Sequence, residues 1–69
     1  MSRKEYKAAA DVIARELERA KDIADARSAE AVGRVARALA DMFCGDNSRF
    51  DYGRFYTACG LDQAGQVIG

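Results

Sequence analysis

Nothing interrupts a helix in the first half of this chain: there is no proline at any position, and the first of the six glycines is Gly33. Within that stretch Tyr6, Ala10, Ile13, Leu17, Ala20 and Ala24 recur at four- and three-residue steps. This spacing lines them along one side of a helix, and Val12 and Ile23 widen the stripe on either side. Ser2-Arg3-Lys4-Glu5 has the spacing of a capping box, with Ser2 serving the amide of Glu5 and Glu5 reaching back. A first helix is therefore predicted over about 3–26, with Asp11 and Arg15 as a supporting surface pair.

Arg27-Ser28 is the expected break, Ser28 capping a second helix that has Glu30 in its first turn. That helix is predicted over about 29–44, burying Val32, Val35, Ala36, Leu39, Met42 and Phe43. Gly33 costs about 1 kcal/mol relative to Ala in a helix interior, which a close helix approach would explain. Glu30 with Arg34, and Arg37 with Asp41, read as solvated pairs at i and i+4. No strong breaker marks the junction, so one continuous rod over 3–44 stays open as the alternative.

The segment 46–60 has a different character. Gly45-Asp46-Asn47-Ser48 is dense in turn formers, and four of the six aromatic residues (Phe50, Tyr52, Phe55, Tyr56) follow closely. Asp51 is placed to cap a short helix over about 51–59, and Arg54 stands where it could pair with Asp51. Tyr52, Phe55, Tyr56 and Cys59 share one face of that helix. Gly60 ends it, Leu61 packs back on its last turn, and Phe50 staples onto Phe55. Two readings follow. The aromatic face closes a small core, or Arg49, Tyr52, Arg54 and Tyr56 form a partner surface. The remainder, 61–69, has two more glycines and few strong apolar residues, and is expected to fray or to be tied down by one contact.

Asn47-Ser48-Arg49-Phe50-Asp51-Tyr52-Gly53-Arg54-Phe55-Tyr56-Thr57-Ala58-Cys59-Gly60 resembles the ending of a family of short proteins encoded by tailed bacteriophages and prophages. That family ends in Asn-Pro-Arg-Phe-Asp, two variable residues, Arg-Phe, two variable residues and Ala-Cys-Gly. Ser48 stands where proline is usual. The opening Arg3-Lys4-Glu5-Tyr6 is similar to the family's start as well, and the middle agrees only in helical character. The resemblance implies a phage origin, hence the cytoplasm of a bacterial host, and implies no activity.

Size and composition narrow the function classes. A 69-residue chain is one domain, and at that size only about 60% of the unfolded surface is buried, so the core is marginal without a staple or a second copy. There is no histidine and there are two cysteines, Cys44 and Cys59. A four-ligand zinc site within one chain is therefore not expected, nor is any other metal or cofactor. The cysteines read as reduced, buried thiols of a cytosolic protein, with a Cys44–Cys59 bridge as the less favoured alternative. No apolar run approaches the roughly 20 residues that cross a bilayer.

Chemistry is sparse. The commonest general base is missing, the glycines are scattered and form no phosphate loop, and both thiols sit near helix C-termini, where the dipole disfavours a thiolate. The chain is therefore expected not to be an enzyme. Eleven basic and eleven acidic side chains interleave to a net charge of zero, which argues against membrane surfaces and makes nucleic acid an unfavoured partner. The expectation is an all-α protein: two longer antiparallel helices with the short aromatic helix packed across one end. It would act as a non-enzymatic protein–protein interaction module, homodimeric through its first two helices and able to engage a bacterial host protein. The alternative is a small DNA-binding regulator of helix-turn-helix type, though its turn would be long. A minor virion component is a third reading without a distinctive sequence feature.

Overall fold

The computed structural model describes residues 3–68. It is all-helical: α1 spans Arg3–Asp22, α2 spans Ala26–Asp46 and α3 spans Tyr52–Cys59. The two long helices form an antiparallel pair, and α3 packs where α1 begins and α2 finishes. The proposed Ser2 cap lies outside the described residues. Most of the expected α1 stripe faces inward, with Ala10, Ile13, Leu17 and Ala20 buried and Tyr6 half-buried, whereas its flanking Val12 and Ile23 are exposed.

The break between the long helices is real, which removes the continuous rod, but it falls earlier than Arg27-Ser28. The chain reverses over 23–25, where Ala24 has a φ of 53°. A non-glycine residue in the left-handed region costs roughly 1–2 kcal/mol, and the cap that follows explains why it is tolerated. Asp25, not Ser28, caps α2. Its Oδ1 accepts from the amides of Arg27 and Ser28, each at 3.1 Å, and Ser28 Oγ donates to its Oδ2 at 2.7 Å. These bonds, the Ser28 side chain first, hold the Asp25 carboxyl below its ordinary pKa. Ala24 is consequently exposed and leaves the α1 stripe.

α2 is also rotated from the expected face. Ala29, Gly33, Ala36, Ala40 and Phe43 are buried, Val32 and Leu39 are half-buried, and Val35 and Met42 are 55% and 56% exposed. The small-residue side faces inward because it lets α1 and α2 approach closely, and Ala36 and Ala40 are completely buried as a result. The larger aliphatics are left along one edge. Gly33 does not serve a helix crossing. A Cβ there would stand 3.3 Å from Val67 Cγ2 and 3.1 Å from Arg37 Nη1, so the glycine makes room for the chain's C-terminal segment.

That segment is folded onto the protein, contrary to the expected fraying. Leu61 is buried, and its amide donates to Tyr56 O at 2.9 Å behind a left-handed Gly60 (φ 85°), which ends α3 in a Schellman-type turn. Asp62 then organises a second turn, its Oδ1 accepting from the amides of Ala64 and Gln66, both at 2.9 Å. Gly65 (φ 80°) lies against the Tyr56 ring, where a Cβ would come within 2.8 Å of Cζ. The helix-surface pairs rearrange accordingly: Arg37 reaches Glu30 at 3.4 Å and leaves Asp41, while Glu30 pairs with Arg37 and not Arg34.

Candidate functional site

Six aromatic rings form a connected cluster where the three helices meet. Phe43 on α2 lies at its centre, 4.9 Å from Tyr6 on α1 and 5.5 Å from Phe55 on α3 between ring centroids. Phe50, in the loop before α3, is 5.0 Å from Tyr6, 5.5 Å from Phe55 and 5.5 Å from Tyr52. The staple of Phe50 onto Phe55 is present. All of these pairs are edge-on or tilted, the arrangement that turns ring edges toward ring faces and adds stabilisation beyond area burial. Asp51 caps α3 through its Oδ1, which accepts from the Arg54 amide at 3.1 Å. Arg54 thus meets Asp51 through its backbone, and its side chain is exposed.

The four residues considered for a partner surface separate. Arg49 and Arg54 are exposed on the side of α3 that faces the start of α1. Tyr52 is half-buried, its hydroxyl donating to Asp41 Oδ1 at 2.9 Å. Contact with Cys44 and then with Asp41 pushes the Tyr52 hydroxyl pKa well above its ordinary value. Tyr56 is removed from the set: it is 6% exposed, covered by Gly65, and its hydroxyl pKa is raised chiefly by desolvation. Both cysteines are free thiols. Cys59 is fully buried, and burial pushes its pKa up to about 11. Cys44 is only half-buried, beside Tyr52 and not within the core.

Two concave surfaces flank α1. The first is a groove of about 470 Å³ along the α1–α2 seam, walled by Val12, Ile13, Val32, Val35 and Leu39, with Glu16 the one charged residue in its lining. Val12 is 49% exposed and Val35 55%. The second, about 550 Å³, lies between the start of α1 and the loop entering α3. Arg3, Lys7, Arg49 and Arg54 surround it over a floor that includes Tyr6, Phe50 and Phe55. The Tyr6 hydroxyl is buried with no hydrogen-bond partner. Such a group ordinarily costs about 1–3 kcal/mol.

Reading by sequence missed this second surface because Arg3 and Lys7 lie more than forty positions from Arg49 and Arg54. The available signal was Tyr6, an aromatic residue near the N-terminus that could only be buried by the distant aromatic window. Among the described residues no group of three or more carboxylate or cysteine side chains could hold a metal ion, and no helix is long and apolar enough to cross a membrane. Compared with family models, with curated proteins and with solved structures, the chain matches none of them.

Proposed function

We propose that this chain is a small, non-enzymatic protein–protein interaction module that pairs with a second copy of itself through the α1–α2 face. The observation that carries the reading is the open apolar groove at Val12, Val32, Val35 and Leu39. The rotation of α2 toward its small-residue side leaves Val35 exposed and Val32 and Leu39 half-buried beside exposed Val12 of α1, while Ala36 and Ala40 fill the core. Glu16 and Arg19, 3.6 Å apart on α1, put both signs of charge beside the groove, so a two-fold contact placed between them could pair unlike charges across the rim.

The resemblance of Asn47–Gly60 to phage and prophage proteins makes a bacterial host protein, met in the host cytoplasm, the proposed target of the dimer. The alternative is a regulator using α2 and α3 as a helix-turn-helix. It would have to read DNA with α3, an eight-residue helix whose Phe55, Tyr56 and Cys59 are buried and whose exposed side chains reduce to Arg54, Thr57 and Ala58. Capture on the tagged protein from bacterial lysate, with and without nuclease, tests the reading. A protein partner retained after nuclease treatment is the expected result. Recovery that vanishes with nuclease would favour the regulator.

A further inference from the structure

The groove used for self-association lies on the α2 side of α1, and the basic pocket lies on the α3 side. We propose that the pocket between the start of α1 and the 47–54 loop docks a short acidic peptide segment of a partner protein, carrying an aromatic or aliphatic anchor. The inference rests on the reading of the chain as an interaction protein and goes beyond its dimerisation.

Charge is the first argument. Four cationic side chains, Arg3, Lys7, Arg49 and Arg54, converge on one pocket that contains a single carboxylate, Asp51. In a chain whose net charge is zero, this is a local concentration and not the average. The Asp51 oxygen Oδ1 is already engaged by the Arg54 amide, so its charge is partly committed to capping α3. The ion pairs between described residues lie elsewhere, at Arg19–Glu16 and Arg37–Glu30. A complementary occupant is therefore anionic.

The floor is the second argument. Phe50 and Tyr6 are half-buried and line the pocket together with Ala10, Phe55 and Ala58. Apolar walls beneath a charged rim favour a ligand that buries a side chain while its acids meet the arginines. Tyr6 lines this pocket, and its hydroxyl is a buried donor without a hydrogen-bond partner. Arginine supplies the planar fork that carboxylates accept in pairs.

An extended polyanion fits less well. Asp51 lines the pocket among the basic residues, so a continuous strand of phosphates would meet a carboxylate there. A short acidic segment needs the pocket alone.

The test is a titration of isotopically labelled protein with a short amidated peptide of Asp and Glu around one Trp. A Lys-containing counterpart and a single-stranded oligothymidine form the comparison arms. Amide shifts grouped at Tyr6, Phe50 and Arg54 are expected with the acidic peptide only. Arg49→Glu with Arg54→Glu should weaken its binding by at least about tenfold while helicity is unchanged. Arg3→Glu with Lys7→Glu, which alters the opposite wall, should do the same. No shift at millimolar peptide, or equal affinity in the charge-reversed variants, would overturn the proposal. So would tighter binding of oligothymidine at the same residues, which would make this a single-stranded nucleic-acid site. Sedimentation of the same samples separates the two readings. A dimer that ignores the peptide rejects the pocket alone, and a monomer that binds it rejects the dimer alone.

Discussion

Arg37 Nη1 donates a hydrogen bond to the carbonyl oxygen of Gly65 at 2.6 Å, tying the middle of α2 to the end of the chain. The same side chain pairs with Glu30, and Val67 settles over Gly33 one turn earlier on α2. The C-terminal segment is thus a fourth structural element without regular secondary structure, and it covers Tyr56.

Removing that tie should loosen the segment without unfolding the helices. Arg37→Ala is expected to cost about 1–2 kcal/mol, the range for a hydrogen bond to a charged group that remains partly solvated. Gly65→Ala should cost at least as much, because its left-handed backbone and the Tyr56 ring both oppose a Cβ. Chemical denaturation measures both costs, and amide exchange at Val67 should rise in each variant.

In the aromatic cluster, Phe55→Ala is expected to cost about 3–5 kcal/mol, since the ring is 5% exposed and touches Phe43 and Phe50. That is comparable with the whole stability of so small a domain. Arg54→Ala should stay within about 0.5 kcal/mol, because its side chain is exposed. Equal melting shifts for the two variants would contradict the placement of Phe55 in the core.

The interhelical turn offers a stabilising change. Ala24 adopts φ 53°, which costs an alanine roughly 1–2 kcal/mol. Glycine relieves this but gives back about 0.4–1 kcal/mol through the greater freedom of the unfolded chain. Ala24→Gly is therefore expected to raise stability by about 0–1.6 kcal/mol in thermal melts. Asp25→Ala should act in the opposite direction, through loss of the α2 cap.

Stability should fall in alkali. Cys59 has a pKa raised to about 11 from an ordinary 9.0. The folded state retains a proton that the unfolded chain has already lost between those values. The contribution is complete below about pH 9 and declines as pH rises toward 11, by about 1.4 kcal/mol per pH unit for one proton. Tyr56, also raised by burial, adds a further decline above its unfolded pKa near 10. Cys59→Ala should flatten the part of the profile between pH 9 and 11 in guanidinium titrations.

Helical spacing located the helical stretches and cap chemistry the Asp51 and Gly60 ends of α3, because each depends on residues within one or two turns, whereas the break between the first two helices stayed open. The features it missed depend on contacts distant in sequence. Asp25 was overlooked as a cap because it requires Ala24 in a conformation alanine avoids. The inward face of α2 was misassigned because large aliphatics at Val35 and Met42 outweigh alanines in any hydrophobicity pattern, whereas close packing favours the alanines. The tail looked too polar to fold, yet Asp62, Gly65 and Arg37 hold it through hydrogen bonds. For the candidate site, Arg49 and Arg54 were legible, but their convergence with Arg3 and Lys7 was not.

Self-association is tested most directly by sedimentation equilibrium of the protein at micromolar concentration beside Val35→Lys. Val35 is 55% exposed, so lysine there should leave the isolated fold intact while placing a charge in the α1–α2 groove. A dimer mass for the parent chain, and a monomer of unchanged helicity for the variant, is the expected result. A monomer mass for the parent with concentration-independent melting would contradict pairing through this face.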